Sequence, residues 1–366
     1  MADLGFIGIG RIGKLALELV SREYRDLDIV AVDCRDLGNY TKRVNPDIRF
    51  YRSCDPDETA KILHGTQLVA TALPSRIARG FIEKFLDKGI SVVDVSFIDF
   101  DPYELDEICR YKRSYYIVDA GFAPGSPNLV VGKIYHDLGD LDYVRIYVGG
   151  IPIEPIPPIG YQITWSPEDL IEEYIRPARI VFDGKIKVVD PLWKIVDVEI
   201  PNMGSYEGFY SDGLRTLLRN VRAKEMYEIT IRYKGHLTAM KILRDLGFFS
   251  KEQLEINDSK IEPFRFTAKL FEKVLRQTIP DKAILYIDLA KDRYYYRLLS
   301  SLTGSLEKPA TALYTALVYA KTIMLALEKG FDYGVHPLED LHYYFQDYID
   351  YLIKNNVLIN IETNIA

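Results

Sequence analysis

The sequence predicts an α/β protein: a doubly wound parallel sheet in the first part, then an α+β domain with a mixed or antiparallel sheet. Three observations carry this. Short apolar strand patterns alternate with helix patterns from residue 4 to residue 118, the order that builds a parallel sheet with crossover helices. At Gly149 the texture changes to a glycine- and proline-rich stretch followed by hairpin-like strands. At 366 residues the chain also exceeds the size at which one hydrophobic core keeps growing, so two domains are expected. We place the first over 1–125 with a helical return over 310–366, and the second over 126–309.

Leu4 to Ile7 form the first strand and run directly into Gly8-Ile9-Gly10-Arg11-Ile12-Gly13, after which Lys14 to Val20 are helix-forming. Strand, Gly-x-Gly-x-x-Gly and helix in this order are the dinucleotide-binding fingerprint of a Rossmann domain. Gly8 allows the tight turn, Gly10 lets the backbone approach a pyrophosphate, and Gly13 lets the helix pack closely on the strand. The anion then rests at the helix N-terminus, against the amides around Arg11 and Ile12. Ile29 to Asp33 read as the second strand, and Asp33 lies twenty positions beyond Gly13. A carboxylate there accepts the adenosine ribose hydroxyls and repels a 2'-phosphate, which favours NAD, while Arg35 keeps NADP open.

The alternation continues with strands at 48–51, 67–73, 91–95 and 115–118 and helices at 58–63, 77–88 and 102–111. Ligands of such sheets bind outside the carboxyl ends of the strands, so Cys34, Leu73, Pro74, Asp94 and the Asp119–Gly125 loop are the positions of interest. Gly149 to Gly160 read as a rigid crossing, because their glycines and prolines exceed what a regular element tolerates. Strands follow at 179–182, 185–189, 195–200 and 227–233, with Asp183-Gly184 as a hairpin turn. Ala310 to Leu327 form an apolar helix that covers the first domain.

Composition narrows the function. Hydrophobic residues at 48% and charged residues at 27% describe a soluble globular chain, expected to be cytoplasmic; we expect no membrane-length apolar run and no secretory signal before the first strand. A net charge of -7 argues against nucleic acid as a partner. The histidines at 64, 136, 236, 336 and 342 show no metal-ligand spacing, so no metal is expected. Cys34, Cys54 and Cys109 are expected to be free thiols.

Several motifs carry a family resemblance. Asp119-Ala-Gly-Phe-Ala-Pro-Gly125, Thr164-Trp-Ser-Pro167 followed by Glu168 to Arg179, Ser211-Asp-Gly-Leu-Arg215, Arg232-Tyr-Lys-Gly-His236, Leu246-Gly-Phe248, Thr303-Gly304 and Gly334 to Glu339 resemble the lysine 6-dehydrogenase and saccharopine reductase family over nearly the whole chain. The forms of the Asp119–Gly125 and Glu173–Arg179 motifs look more like the lysine 6-dehydrogenases. The resemblance implies NAD-dependent oxidation of the lysine side-chain amine to 2-aminoadipate 6-semialdehyde and ammonia, with a homodimer and a second domain for substrate binding and dimerisation. The alternatives are a saccharopine reductase or related C–N dehydrogenase, and a nonenzymatic NAD-binding regulator.

Oxidising an amine carbon needs the nitrogen lone pair, so a base must first remove the ammonium proton. Asp94 and Asp119, at strand ends, and His236, which titrates near neutrality, are the candidates. Each has an equally plain structural role, in holding loop amides or packing in a core. Arg215 and Arg232 are candidates for the substrate carboxylate, since Arg offers a bidentate fork. Tyr161 and Trp165 would line a slot for the methylenes, or pack in the core. Asn128 would hold a polar substrate group or cap the following helix.

Overall fold

The structure is a computed structural model that describes residues 2–365. The chain divides into two compact units, Met1–Lys133 with Leu313–Asn355, and Ile134–Ala312 with Asn356–Ala366.

The first unit alternates strands and helices as the sequence predicts, with α2 added between β2 and β3: β1 (Leu4–Ile7), α1 (Arg11–Glu23), β2 (Ile29–Asp33), α2 (Gly38–Val44), β3 (Arg49–Arg52), α3 (Pro56–Ile62), β4 (Leu68–Thr71), α4 (Ser75–Asp87), β5 (Ser91–Asp94), α5 (Asp106–Lys112), β6 (Tyr115–Val118) and α6 (Ser126–Leu138). β1, β2, β4, β5 and β6 are buried along their whole length, as expected for parallel strands covered on both faces. The edge strand β3 is largely exposed and carries Arg49 and Arg52, charges that discourage further pairing.

The second unit is built on a nine-stranded sheet. β7 (Leu141–Pro152) is followed by α7 (Pro167–Glu173), β8 (Ala178–Phe182), β9 (Lys185–Val189), β10 (Val196–Ile200), β11 (Gly204–Ser211), α8 (Leu217–Asn220), β12 (Ala223–Arg232) and α9 (His236–Asp245). The hairpin β13 (Leu254–Ile256) and β14 (Ser259–Ile261), α10 (Pro263–Val274), β15 (Asp281–Lys291) and β16 (Tyr294–Thr303) complete it. β7 and β12 pair parallel and the other pairings are antiparallel, so the sheet is mixed. The chain closes with α11 (Ala310–Lys329), β17 (Gly334–Pro337), α12 (Phe345–Lys354) and β18 (Leu358–Thr363). β17 pairs parallel with β6 and becomes the seventh strand of the first sheet, in the order β17-β6-β5-β4-β1-β2-β3.

The structure changes four expectations. Gly149 to Pro152 belong to β7 rather than to an irregular crossing. The missing side chains of Gly149 and Gly150 leave space that Ile231 and Thr311 fill, so these glycines serve packing inside the sheet. The helical return ends at Lys354; β18 then pairs with β16 in the second unit. Cys34 and Cys54 are joined as a disulfide, because the parallel neighbours β2 and β3 end side by side; only Cys109 is free, and it is buried. Finally, α11 is long and apolar enough by length and composition to cross a membrane, with a mean hydropathy of 1.5. Its apolar stretch is 72% buried inside the protein, the pattern of a core helix.

Candidate functional site

The glycine turn after β1 shows three glycines with three different surroundings. Gly8 has φ 83, and a methyl there would overlap the Ala72 carbonyl from the end of β4. A methyl on Gly13 would overlap the Gly8 carbonyl, so α1 packs directly on the turn. Gly10 has no atom within 4 Å of where a side chain would project. It is the N-cap of α1 and brings no side-chain oxygen to the first-turn amides of Arg11, Ile12 and Gly13. Open space over Gly10 and a positive helix end without a capping carboxylate fit a pyrophosphate.

Asp33 ends β2 opposite this turn. Its Oδ2 accepts the Ile9 amide at 2.8 Å, tying β2 to the glycine turn. Its Oδ1 accepts the Arg35 amide at 2.8 Å and Arg35 Nε at 3.0 Å. Arg35 also donates to the Ile9 carbonyl at 3.0 Å, although its side chain is 60% exposed. Burial works to raise the Asp33 pKa, but the Arg35 and Ile9 hydrogen bonds outweigh it and hold the carboxyl below its usual value. Asp33 is therefore ionised, and it is shared between the turn and Arg35 rather than reserved for a ribose. Arg52, paired with Asp33 across β2 and β3, donates from Nε to the Cys34 carbonyl at 2.9 Å. At this edge Asp33 thus stands with two arginines, Arg35 and Arg52.

Asp94 lies at the end of β5 and is fully buried. Its Oδ1 accepts Thr71 Oγ1 at 2.7 Å, the Ser96 amide at 3.1 Å and Ser96 Oγ at 2.7 Å, and Tyr116 Oη stands 3.3 Å from Oδ2. Ser96 Oγ in turn accepts the Leu73 amide at 3.1 Å. Asp94 thereby fixes the Leu73–Pro74 segment that opens α4. Burial pushes its pKa up to about 6, against the Thr71 and Ser96 hydrogen bonds, with Asp119 adding to the rise. Asp119 follows β6 with φ 56 and is 2% exposed; its carbonyl accepts the Gly121 amide, which tightens the loop to Gly125. Asn128 Oδ1 accepts the Gly125 amide and its Nδ2 donates to Glu339, both at 3.1 Å, so this side chain ties the loop to the segment that follows β17.

In the second unit, Arg232, Tyr161 and His236 come together in a buried cluster. Arg232 Nε donates to Tyr174 Oη at 3.2 Å, Tyr174 Oη donates to His236 Nε2 at 2.8 Å, and His236 Nδ1 donates to the Ile159 carbonyl at 3.0 Å. Arg232 also pairs with Glu173 at 2.6 Å and lies over the Tyr161 ring, 4.7 Å from its centroid. Burial, helped by the Arg232 charge, drives the His236 pKa down to about 3, so the ring is neutral. Trp165 Nε1 donates to Tyr161 Oη at 3.2 Å and is only half-buried. Arg215 is half-buried with φ 52, in the turn after β11.

Sequence reasoning missed Tyr174, Glu173 and Glu228. The first two lie in the Glu168–Arg179 motif, but only the fold brings them to Arg232. Glu228 is buried on β12 opposite Ser211; its Oε1 accepts Ser211 Oγ at 2.8 Å, and its carboxyl fills the space a side chain at Gly213 would need. Burial pushes its pKa up to about 8. Among the described residues no group of acids, histidines and cysteines is arranged to hold a metal ion.

Residues 121–357, well over half of the chain, match the family described as the saccharopine dehydrogenase C-terminal domain. A saccharopine dehydrogenase [NADP(+), L-glutamate-forming] of Pyricularia oryzae is 25% identical over 245 residues, 61% of this chain and 53% of that protein. The mitochondrial α-aminoadipic semialdehyde synthase of Rattus norvegicus is 23% identical over 212 residues, 54% of this chain and 23% of that protein. The chain thus spans about half or less of the length of these relatives. The saccharopine dehydrogenase (L-Glu forming) of Saccharomyces cerevisiae has the same fold, with a TM-score of 0.79 and 16% identity over 100% of both chains. With the glycine turn, the strand-end acid and the mixed second sheet in place, the chain belongs to the saccharopine dehydrogenase family.

Proposed function

We propose that this chain is an NAD-dependent dehydrogenase that oxidises the side-chain amine carbon of lysine, giving 2-aminoadipate 6-semialdehyde and ammonia, and that it works as a homodimer. The observation that carries the dinucleotide reading is the open space over Gly10 beside a buried, ionised Asp33. The forms of the Asp119–Gly125 and Glu173–Arg179 motifs support lysine. The dinucleotide, when bound, accepts the hydride that leaves the amine carbon. Gly8, Gly10 and Gly13 with the α1 N-terminus would hold its pyrophosphate, Asp33, shared with Ile9 and Arg35, would also accept a ribose hydroxyl, and the Leu73–Pro74 segment is set by Asp94 through Ser96.

We assign the proton-accepting role to Asp119. Asp119 stands on the loop after β6 and would take the ammonium proton before hydride leaves, then return one as water adds to the resulting carbon and ammonia departs. We assign the substrate carboxylate to Arg215, since a guanidinium offers bidentate geometry. Trp165, half-buried beside Tyr161, supplies apolar surface for the methylenes.

A second reading, cleavage of saccharopine with NADP, is favoured by the names of the fungal and yeast proteins and by Arg35 and Arg52 beside Asp33. Purified protein assayed with lysine plus NAD, and separately with saccharopine plus NADP, decides between them. Turnover in the first reaction supports the lysine assignment; turnover only in the second overturns it. No turnover with either, while NADH still binds, points to a nonenzymatic regulator.

A further inference from the structure

We propose that Cys34 and Cys54 form a reversible thiol–disulfide site at the adenosine edge of the dinucleotide cradle, and that closing it tightens dinucleotide binding. The proposal rests on the dinucleotide reading above for its second half only. Cys34 directly follows Asp33 at the end of β2, and Cys54 lies two residues beyond Arg52 at the end of β3. The two strands are parallel neighbours with Asp33 opposite Arg52. The Cα atoms of Cys34 and Cys54 stand 4.7 Å apart, within the usual range for a disulfide. Both cysteines are exposed, whereas Cys109 is buried and its thiol is pushed up to about 12, chiefly by burial. Exchange reagents therefore reach the pair and not the third thiol.

The coupling follows from what is attached to Cys34. Its carbonyl holds Arg52 Nε, its neighbour Asp33 accepts the Ser53 amide on its own carbonyl at 3.2 Å, and its other neighbour Arg35 grips the Asp33 carboxylate through amide and guanidinium. On the other strand, Cys54 precedes Asp55, whose side chain caps α3 by accepting the Glu58 amide at 2.8 Å. A bond between the two sulfurs holds two strand ends that otherwise meet through single hydrogen bonds. Asp33, Arg35 and Arg52, the groups that would face the adenosine, are then fixed before ligand arrives, and ordering them costs less on binding.

The chemistry needs a small-molecule disulfide as oxidant. One protein thiolate attacks a sulfur of that disulfide and releases one small thiol. The second protein thiolate attacks the mixed disulfide and releases the other. Two electrons and two protons pass from the protein pair to the small molecule, and a dithiol reverses the exchange.

The test uses the full chain, incubated with glutathione disulfide or with dithiothreitol and then freed of reagent. Maleimide labelling after denaturation, read by mass, is expected to find one free thiol in the oxidised protein and all three in the reduced protein. Fluorescence titration with NADH is expected to show affinity weaker by about three- to tenfold in the reduced protein, the scale of a lost pre-organising constraint. The Cys34→Ser, Cys54→Ser double variant should match the reduced protein under both treatments; the reduced parent gives the same comparison if that variant fails to fold. Three labels in the oxidised sample, or equal NADH affinity in the two states, overturn the proposal. If neither state binds NADH, the coupling and the dinucleotide reading fall together, while the label count still reports whether the bond forms.

Discussion

The hydroxyl of Tyr174 stands 2.8 Å from Nε2 of His236 and links that ring to Arg232 in the buried cluster. Arg232 can only donate, so Tyr174 must accept from it and donate onward, and His236 must carry its proton on Nδ1 toward Ile159. Removing the hydroxyl in Tyr174→Phe leaves Arg232 Nε and His236 Nε2 buried without this partner. Unsatisfied buried groups cost about 1–3 kcal/mol each, so a loss of roughly 2–4 kcal/mol is expected in urea unfolding. A loss under about 0.5 kcal/mol would mean that water already serves these atoms.

The pH dependence of stability has two limbs of opposite sign. His236 is held at about 3 against an ordinary value of 6.5. Between these values the unfolded chain binds the proton and the folded one does not, so stability falls as pH drops through that window. Glu228 is raised to about 8 from 4.5, so the folded chain keeps its proton and stability is lost as pH rises from 4.5 through about 8. Asp94 has the same sign as Glu228 over the narrower window from 3.8 to about 6. Melting temperature measured against pH should lose its alkaline limb in Glu228→Gln and much of its acid limb in His236→Gln. An unchanged profile in both variants contradicts these assignments.

The three glycines of the turn separate folding from binding. Gly13→Ala drives a methyl into the Gly8 carbonyl and must shift α1, with an expected loss of about 1–3 kcal/mol from overpacking, read in the same unfolding experiment. Full stability in that variant would show that α1 does not sit on the turn as described.

Arg35 bears on the choice of dinucleotide. Its guanidinium is largely exposed while bonded to Asp33, so it can turn to a 2'-phosphate. Arg35→Ala is expected to weaken NADPH binding about tenfold, the scale of one charge-assisted contact, with a smaller change for NADH. Equal losses for both would assign Arg35 to holding Asp33 alone.

What the sequence made legible was local. The run from β1 through the glycine turn and α1 to Asp33 obeys short-range rules of turn geometry and strand spacing, and the alternation as far as β6 repeats them. The rest depends on which distant segments meet. β17 returns to β6 after the whole second unit has intervened, and nothing in Gly334-Val-His-Pro marks it as a strand of the first sheet. Arg232, Tyr174 and Glu173 come together across 58 and 59 residues, so an Arg that reads as a carboxylate clamp becomes the centre of a core. Gly149 and Gly150 look like loop residues until Ile231 and Thr311 are seen in the space they leave. Cys34 and Cys54 were readable in principle, since parallel pairing of β2 with β3 places both at one sheet edge.

Calorimetric titration of NADH into the folded protein and into Gly10→Val tests the central claim most directly. Gly10 faces open space, so valine leaves the fold intact and fills the volume assigned to the pyrophosphate. One NADH per chain in the parent, and none in a variant with unchanged melting temperature, is the expected result. A folded parent that takes up neither NADH nor NADPH, or a variant that binds as well as the parent, contradicts it.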